Sequence, residues 1–283
     1  MAAPTLRSRH RCHGGEVRFY AHASAEIGGE MRFAAFVPPQ AARQPVPVLF
    51  YLAGLTCTEE TFMTKADALG SAAEHGLMLV APDTSPRDRR YPGDDESWDF
   101  GLGAGFYLDA TAMPWRQSYR MHAYVTRELP DLITTHLPAR RDRWGIFGHS
   151  MGGHGALVAA LRNRGLYRSV SAFAPIAAPS RCPWGEKAFS RYLGPDRTAW
   201  KAWDATALLE GGARCPPVLI DQGQADQFLE QQLNPHLFEA ACRAAGQPLM
   251  LRRHDGYDHG YYFISTLMAD HIRHHASVLN GED

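Results

Sequence analysis

The sequence has little cysteine, and the cysteines it has are not paired. Five are scattered over 283 residues, an odd number without a Cys-x-x-Cys motif. This pattern argues against a disulfide framework and against a thiolate zinc site. The N-terminal group His10, Cys12 and His13 is interpreted as incidental, because an exposed cluster at a chain end seldom forms a metal site. We therefore expect free thiols in a reducing cytoplasm and no metal.

The chain also lacks an excess of charge of either sign and a long apolar run. Lysine and arginine total 29 against 30 aspartate and glutamate residues. No basic surplus is available to neutralise phosphates, so nucleic acid is not expected as a partner. No run approaches the roughly 18 apolar residues of a membrane span, and the basic N-terminus is not followed by the apolar region of a signal peptide. We expect no membrane association.

Internal repeats, low-complexity tracts and linker-like segments are missing too. What is present is an ordinary globular composition, with 45% hydrophobic and 21% charged residues. Chains of α/β class often exceed 200 residues as one unit. The prediction is a single domain over 1–283.

Short apolar runs alternate with helix-like stretches along most of the chain. Alternating segments at 17–22 and 31–37, separated by Gly28 and Gly29, predict an antiparallel strand pair. Continuous apolar runs, typical of strands covered on both faces, follow at 46–52, 77–80, 145–147, 218–220 and 249–251. Helices are predicted at 59–74, 117–136, 151–163, 227–245 and 261–278. The pattern favours a mostly parallel sheet with helices on both faces.

Two of these helices contain a proline, and one segment does not fit the alternation. Pro130 and Pro235 predict a break or kink within their helices. The segment 177–212 is predicted to be an excursion near the mouth of a pocket.

The strongest motif is Gly148-His149-Ser150-Met151-Gly152, which matches G-x-S-x-G. It follows a strand-like run and precedes a helix-like one, the context of a nucleophile elbow. Glycines on both sides relieve clashes at so tight a turn. Ser150 is therefore the predicted nucleophile. A second glycine-rich stretch at 101–106 lacks the last glycine of a dinucleotide fingerprint, so no such cofactor is expected.

A serine nucleophile needs a histidine as base and an acid that orients it. In a mostly parallel sheet with such an elbow, the chain order is serine, then the acid, then histidine. After the strand at 218–220 the candidates for the acid are Asp221 and Asp226. Asp226 is favoured because it lies farther along the loop, where its side chain can reach across to the base. For the base, His254 still continues a strand-like run, whereas His259 lies between glycines before the last helix. His259 is favoured.

The oxyanion needs two backbone N–H donors. One is predicted at Met151, directly after the nucleophile, and the other at Leu55, in the loop after the strand at 46–52. Thr58 in the same loop is also expected to cap a helix.

Seven stretches resemble the S-formylglutathione hydrolase (esterase D) family of α/β-hydrolases. They lie at 54–66, 81–87, 103–115, 147–157, 182–189, 221–229 and 256–264, and among them are GLTCTEETFMTKA, FGHSMGGHGAL and GYDHGYYFI. The resemblance implies an α/β-hydrolase fold and a cytosolic, cofactor-free thioesterase that hydrolyses S-formylglutathione to formate and glutathione in formaldehyde detoxification. It places the triad on Ser150, Asp226 and His259 and the oxyanion amides on Leu55 and Met151.

The resemblance also bears on weaker candidates. It implies a homodimer and a thiol, Cys57, near the active site without a catalytic role. Trp184, Trp98 and Lys65 are weak candidates for substrate binding. Two positions depart from the family pattern: Gly260 stands where serine is usual, and Asp88 where glycine is usual.

Three rival functions remain. A general short-chain carboxylesterase would share the fold and chemistry without a glutathione preference. An acyltransferase would pass the acyl group to an alcohol instead of water. A catalytically inactive binding module is the third, which a complete triad disfavours.

Overall fold

The computed structural model describes residues 2–281, and its centre is one nine-stranded sheet. The strands are β1 (Thr5–Cys12), β2 (Gly15–Ser24), β3 (Gly29–Val37), β4 (Val46–Leu52), β5 (Met78–Pro82), β6 (Ala139–His149), β7 (Ser169–Phe173), β8 (Val218–Gly223) and β9 (Leu249–His254). Their spatial order is β1-β2-β3-β5-β4-β6-β7-β8-β9. In this spatial order, the pairs β1-β2, β2-β3 and β3-β5 are antiparallel, and all pairs from β5-β4 onward to β8-β9 are parallel. The predicted mostly parallel sheet with an antiparallel N-terminal pair is confirmed.

Two strands were not predicted. β1 has the polar sequence TLRSRHRC and is exposed along nearly its whole length at the edge of the sheet, so no apolar alternation marks it. β7 is five residues long and contains two serines, although all five residues are buried. A prediction based on hydrophobic runs therefore missed both strands, because β1 is polar and β7 is short and contains serines.

The helices alternate with the strands after β4. They are α1 (Glu59–Lys65), α2 (Leu69–His75), α3 (Met121–Ala123), α4 (Leu129–His136), α5 (Met151–Arg162), α6 (Pro183–Tyr192), α7 (Arg197–Trp200), α8 (Ala205–Glu210), α9 (Pro235–Ala245) and α10 (Tyr261–Leu279). Single π-helical turns at Tyr124–Glu128 and Leu229–Leu233 directly precede the helical segments that contain Pro130 and Pro235. The predicted helices at 117–136 and 227–245 are therefore interrupted near their prolines, as expected, and the helix predicted at 59–74 divides into α1 and α2.

Side chains of β6 show that helices cover both faces of the sheet. Phe147 contacts His271 and His275 of α10. A side chain at the adjacent Gly148 would instead meet the backbone of Gly152 in α5. Since successive residues of a strand point to opposite faces, α10 and α5 lie on opposite sides.

The segment 177–212 is mainly helical and connects β7 to β8. It contains α6, α7 and α8, and α8 packs against α5 and α9. Through α6 the segment brings Trp184 toward the carboxyl edge of the sheet, where it contacts Phe228.

Candidate active site

Ser150 lies at the turn between β6 and α5, with φ 58° and ψ −120°. This positive φ is unusual for a residue with a side chain, and such strain is typical of functional turns. The turn is possible because its neighbours are glycines: a Cβ at Gly148 would collide with the carbonyl group of Gly152, and a Cβ at Gly152 with that of Leu52. The predicted elbow is thus present, with the serine 3% exposed.

Asp226 and His259 are hydrogen-bonded to each other. The Asp226 Oδ2 atom lies 2.5 Å from His259 Nδ1. The other carboxylate oxygen, Oδ1, accepts the Phe228 backbone N–H at 2.8 Å, and Oδ2 also accepts from Gln222 Nε2 at 3.3 Å. Because an ionised carboxylate only accepts, Nδ1 of His259 donates and its Nε2 is left to accept a proton.

The His259 ring contacts two other rings. Its centroid is 4.4 Å from that of His149, the residue before Ser150, and 5.1 Å from that of Phe228. His149 is buried, with its ring against that of His259. Burial and the neighbouring His259 hold the pKa of His149 well below its usual range. His149 is therefore neutral, and its contact with His259 holds the His259 ring beside the elbow.

The rejected candidates Asp221 and His254 also contact each other. The Asp221 Oδ1 atom lies 3.0 Å from His254 Nε2, but Asp221 is fully buried and also binds Arg252 and His271. Among the described residues, neither side chain forms a hydrogen bond or a ring contact with His149. Chain order alone left these alternatives open, whereas the ring contacts favour Asp226 and His259.

The loop after β4 lies directly against the serine. A Cβ on Gly54 would be 3.3 Å from the Ser150 Cβ and 3.2 Å from His149 Nδ1. In this loop the Thr56 and Cys57 amides donate to Gly103 and Gly54 carbonyl groups, while the Leu55 amide has no partner in the described chain.

The second predicted donor, Met151, is the first residue of α5, where backbone N–H groups have no intrahelical acceptor. Thr58 caps α1 through a reciprocal pair of hydrogen bonds with its first turn, as expected. The oxyanion role of the Leu55 amide in the same loop stays a prediction.

Cys57 is half-buried in the same loop. Burial raises the pKa of the Cys57 thiol, and hydrogen bonds with Tyr261 and Thr61 only partly offset this effect. Its backbone carbonyl accepts hydrogen bonds from Thr84 Oγ1 at 2.6 Å and Arg87 Nη2 at 2.9 Å. A protonated thiol is a weak nucleophile, so this environment favours proximity without catalysis.

Of the weaker candidates, the two tryptophans extend the row of rings beyond Phe228. The Trp184 centroid is 4.7 Å from that of Phe228, and the half-exposed Trp98 packs edge-on against Trp184 at 5.6 Å. Sequence reasoning missed Phe228, although its position two residues after Asp226 was an available signal.

Lys65 lines a separate cleft of ≈ 470 Å³ together with Tyr261, Tyr262 and Ser265. Tyr261 connects this cleft to the elbow, because its ring centroid lies 6.1 Å from that of His149. Lys65 forms no ion pair with any other described residue.

The two departures from the family pattern have local explanations. Gly260 is the N-cap residue directly before α10 and supplies no side-chain cap, and its N–H donates to Asp258 Oδ1 at 2.8 Å. Asp88 accepts the Glu30 N–H at 2.8 Å and so supports the turn between β2 and β3.

Two kinds of feature are absent from the described part of the chain. No helix in residues 2–281 is both long and apolar enough to cross a bilayer. The same residues contain no group of three or more histidine, cysteine, aspartate or glutamate side chains suited to holding a metal ion.

The chain is similar to known proteins over nearly its whole length. The family model described as "Putative esterase" matches residues 24–274. S-formylglutathione hydrolases of Mus musculus and Rattus norvegicus are 55% and 53% identical to the chain over 277 residues, covering 97% of this chain and 98% of theirs. A solved structure of an S-formylglutathione hydrolase from Agrobacterium tumefaciens superposes with a TM-score of 0.95 at 51% identity, covering 97% of this chain and 99% of that one. The chain therefore belongs to the S-formylglutathione hydrolase family of esterases.

Proposed function

We propose that the chain is a serine thioesterase that hydrolyses S-formylglutathione to formate and glutathione, with Ser150, Asp226 and His259 as its triad. The observation that carries the proposal is the hydrogen-bonded Asp226–His259 pair, whose imidazole packs against His149, the residue before a strained serine. The similarity to S-formylglutathione hydrolases over nearly the whole chain supports the choice of substrate.

In the first half of the proposed reaction, Ser150 Oγ attacks the formyl carbon while its proton passes to His259 Nε2. Asp226 orients the imidazole and stabilises the cation that forms. The Leu55 and Met151 amides donate to the carbonyl oxygen as it becomes negative, each contributing about 3 kcal/mol. The C–S bond then breaks, and the proton on His259 passes to the glutathione sulfur.

The second half regenerates the enzyme. Water loses a proton to His259 Nε2 and attacks the formyl ester of Ser150. The ester C–O bond breaks, the serine oxygen regains the proton, and formate leaves. A formyl group is small, so we expect short acyl groups to react faster than long ones. No cofactor takes part in either half.

The glutathione part needs a cationic contact, because it carries two carboxylates and one ammonium group. The cleft beside Tyr261 supports one, since the exposed Lys65 ammonium, which has no ion pair within residues 2–281, lies among two tyrosines and a serine hydroxyl. Its volume is within the range of small-molecule sites. We propose that a glutathione carboxylate binds at Lys65, and that Trp184 and Trp98, which adjoin Phe228, contact another part of the substrate.

We also propose that the chain acts as one domain, as a homodimer, in the cytoplasm, without binding membranes or nucleic acid. Five unpaired cysteines support a reducing compartment. The near balance of charge supports the expectation about nucleic acid.

A kinetic panel on purified protein tests the substrate. We expect kcat/KM to be highest for S-formylglutathione, compared with S-lactoylglutathione and p-nitrophenyl acetate. An equal or higher kcat/KM for the aryl acetate would favour the general carboxylesterase. Formation of a new ester when an alcohol is added would favour the acyltransferase.

The variant Ser150→Ala tests the mechanism independently of the substrate. We expect kcat for every substrate in the panel to fall by about 10⁴-fold or more, because the covalent step is removed. Full activity in this variant would refute the triad.

A further inference from the structure

The three proposed catalytic segments leave the sheet just past one row of residues. His149 of β6 is in register with Phe173 of β7, Phe173 with Asp221 of β8, and Asp221 with Arg252 of β9. Ser150 follows this row on β6, the loop to Asp226 follows it on β8, and the loop to His259 follows it on β9. Whatever holds the row in place therefore affects all three segments.

Asp221 is the buried anion of this row, and its carboxylate is fully used. Arg252 donates to both oxygens at 2.6 Å, His254 donates to Oδ1 at 3.0 Å, and His271 donates to Oδ2 at 2.9 Å. A carboxylate has about four acceptor positions, and all are occupied here. Burial alone would raise the pKa of Asp221, but the hydrogen bonds from His271 and Arg252 outweigh it and lower that pKa, so the group is ionised.

These four residues, the Asp221 cluster, join both ends of the loop that carries His259. Arg252 and His254 belong to β9, before the loop, and His271 belongs to α10, which begins directly after it. All three donate to β8, the strand that leads to Asp226. The cluster therefore bonds the supports of the acid to the supports of the base.

The cluster also borders the support of the nucleophile. The Phe173 ring stacks on His271 with centroids 3.8 Å apart. The Phe173 backbone carbonyl accepts the Ser150 N–H at 3.0 Å. A shift of His271 is thus transmitted by direct contact to the residue that holds the Ser150 backbone.

We propose that Asp221 is a positioning residue, which through Arg252, His254 and His271 fixes His259 and Asp226 relative to Ser150. This inference rests on the catalytic roles proposed above. The rejected acid candidate thereby has a role of its own, since Asp221 touches no reacting atom and acts through the segments it ties together.

The same face of α10 offers a matched control, because the buried hydrogen bonds continue beyond the cluster. His271 is neutral, since burial lowers its pKa, so its Nδ1 accepts from Ser171 Oγ at 2.8 Å. Ser171 in turn accepts from His275 Nε2 at 2.8 Å, and His275 Nδ1 accepts from Ser169 at 2.6 Å. His275 is as buried as His271 and lies about one turn later, but it does not touch Asp221.

The experiment compares His271→Leu, His271→Gln and His275→Leu, using p-nitrophenyl acetate for kcat and KM and thermal unfolding for Tm. We expect His271→Leu to lower kcat by about tenfold to a hundredfold with KM unchanged, since small misplacements of catalytic groups have effects of that size. His271→Gln keeps a donor at the position of Nε2 and should restore most of the kcat. His275→Leu should lower Tm to a similar extent and leave kcat unchanged.

An unchanged kcat in folded His271→Leu, or an equal loss of kcat in His275→Leu, would overturn the proposal. Should His271→Leu not fold, His254→Leu and His254→Gln decide by the same criterion, because the His254 side chain is 21% exposed and more tolerant of change. Ser150→Ala distinguishes a failure of the proposed triad from a failure of the proposed positioning role. Activity in that variant refutes the triad itself, whereas an inactive Ser150→Ala beside a fully active His271→Leu refutes only the positioning role.

Discussion

Burial keeps three side chains near Ser150 uncharged. It lowers the pKa of His149, with a further contribution from His259, and it raises the pKa of both Cys57 and Tyr261. At neutral pH these groups are an imidazole, a thiol and a phenol. They therefore offer no second anionic nucleophile beside the serine and no cation that would compete with Lys65 for a substrate carboxylate.

The role of Lys65 can be tested by removing its charge. Lys65→Gln should raise KM for S-formylglutathione about two- to fivefold, the size expected of one exposed ion pair, with kcat unchanged. KM for p-nitrophenyl acetate, which has no carboxylate, should stay the same. Steady-state kinetics at low and high salt check the result, because screening weakens such a pair.

Two variants control the Lys65 experiment. Lys65→Arg keeps the charge and should restore the low KM. Lys201→Gln removes an exposed lysine that does not line the cleft, and it should have no effect. An equal rise of KM for both substrates in Lys65→Gln would contradict a carboxylate contact.

At the level of single residues, chain order predicted the Asp226–His259 pair but not its surroundings. The order of serine, acid and histidine left Asp221 and His254 as alternatives, and in the structure these also form an Asp–His contact. What separates the two pairs is ring packing against His149, which arises from contacts between distant segments. A linear pattern contains no information about such contacts.

At the level of elements, the sequence predicted what depends on local chemistry. Pro130 and Pro235 marked interruptions because proline cannot donate a backbone hydrogen bond within a helix. β1 and β7 were missed because their strand character comes from pairing with a neighbour. β1 pairs along its length with β2 although its own side chains are exposed.

A buried carboxylate joins two elements that are distant in sequence. Glu128, at the end of the π-helical turn, accepts from Ser24 Oγ at 2.6 Å, from the Ala25 N–H at 2.7 Å and from the Glu26 N–H at 3.0 Å. These bonds hold the turn between β2 and β3. In Glu128→Gln an amide NH₂ would face these donors, so the free energy of unfolding should fall by about 1.5–3 kcal/mol, as for a hydrogen bond to a charged group.

Urea unfolding measures the effect, and Glu30→Gln is the matched control on the same hairpin. Glu30 is in exposed ion pairs with Arg7 and Arg32, so its replacement should cost less than about 1 kcal/mol. Because Glu128 is not part of the candidate site, kcat should not change in either variant. Equal destabilisation by the two substitutions would show that the buried hydrogen bonds of Glu128 stabilise the fold no more than the exposed ion pairs of Glu30.

At the level of the whole molecule, histidine burial is the most widespread electrostatic feature. Burial is the first cause of a lowered pKa for seven of the fourteen histidines: His22, His122, His149, His154, His271, His274 and His275. The pKa of His122 is lowered to about 3 and that of His154 to about 4. These rings lie on both faces of the sheet, so their protonation opposes the fold as a whole.

Acid should therefore destabilise the protein well above the range in which carboxylates titrate. Histidines of the unfolded chain protonate near pH 6.5, whereas the buried rings stay neutral in the folded chain. Below about pH 6.5 the unfolded state binds more protons, so the free energy of unfolding should be constant above that pH and fall below it. Each such histidine contributes up to about 1.4 kcal/mol per pH unit. Urea unfolding at a series of pH values between 8 and 4.5 measures the profile.

His154→Gln isolates one of these histidines. His154 Nε2 donates to the Phe106 carbonyl at 3.1 Å, and a glutamine amide can donate from the same position without titrating. The difference between variant and wild type at pH 8 then gives the packing effect alone. Between pH 6.5 and the His154 pKa of about 4, the variant should lose stability less steeply than the wild type, by about 1.4 kcal/mol per pH unit. Parallel profiles would show that His154 is not kept neutral by burial, and a wild-type profile that is flat down to pH 4.5 would contradict the account for the whole set.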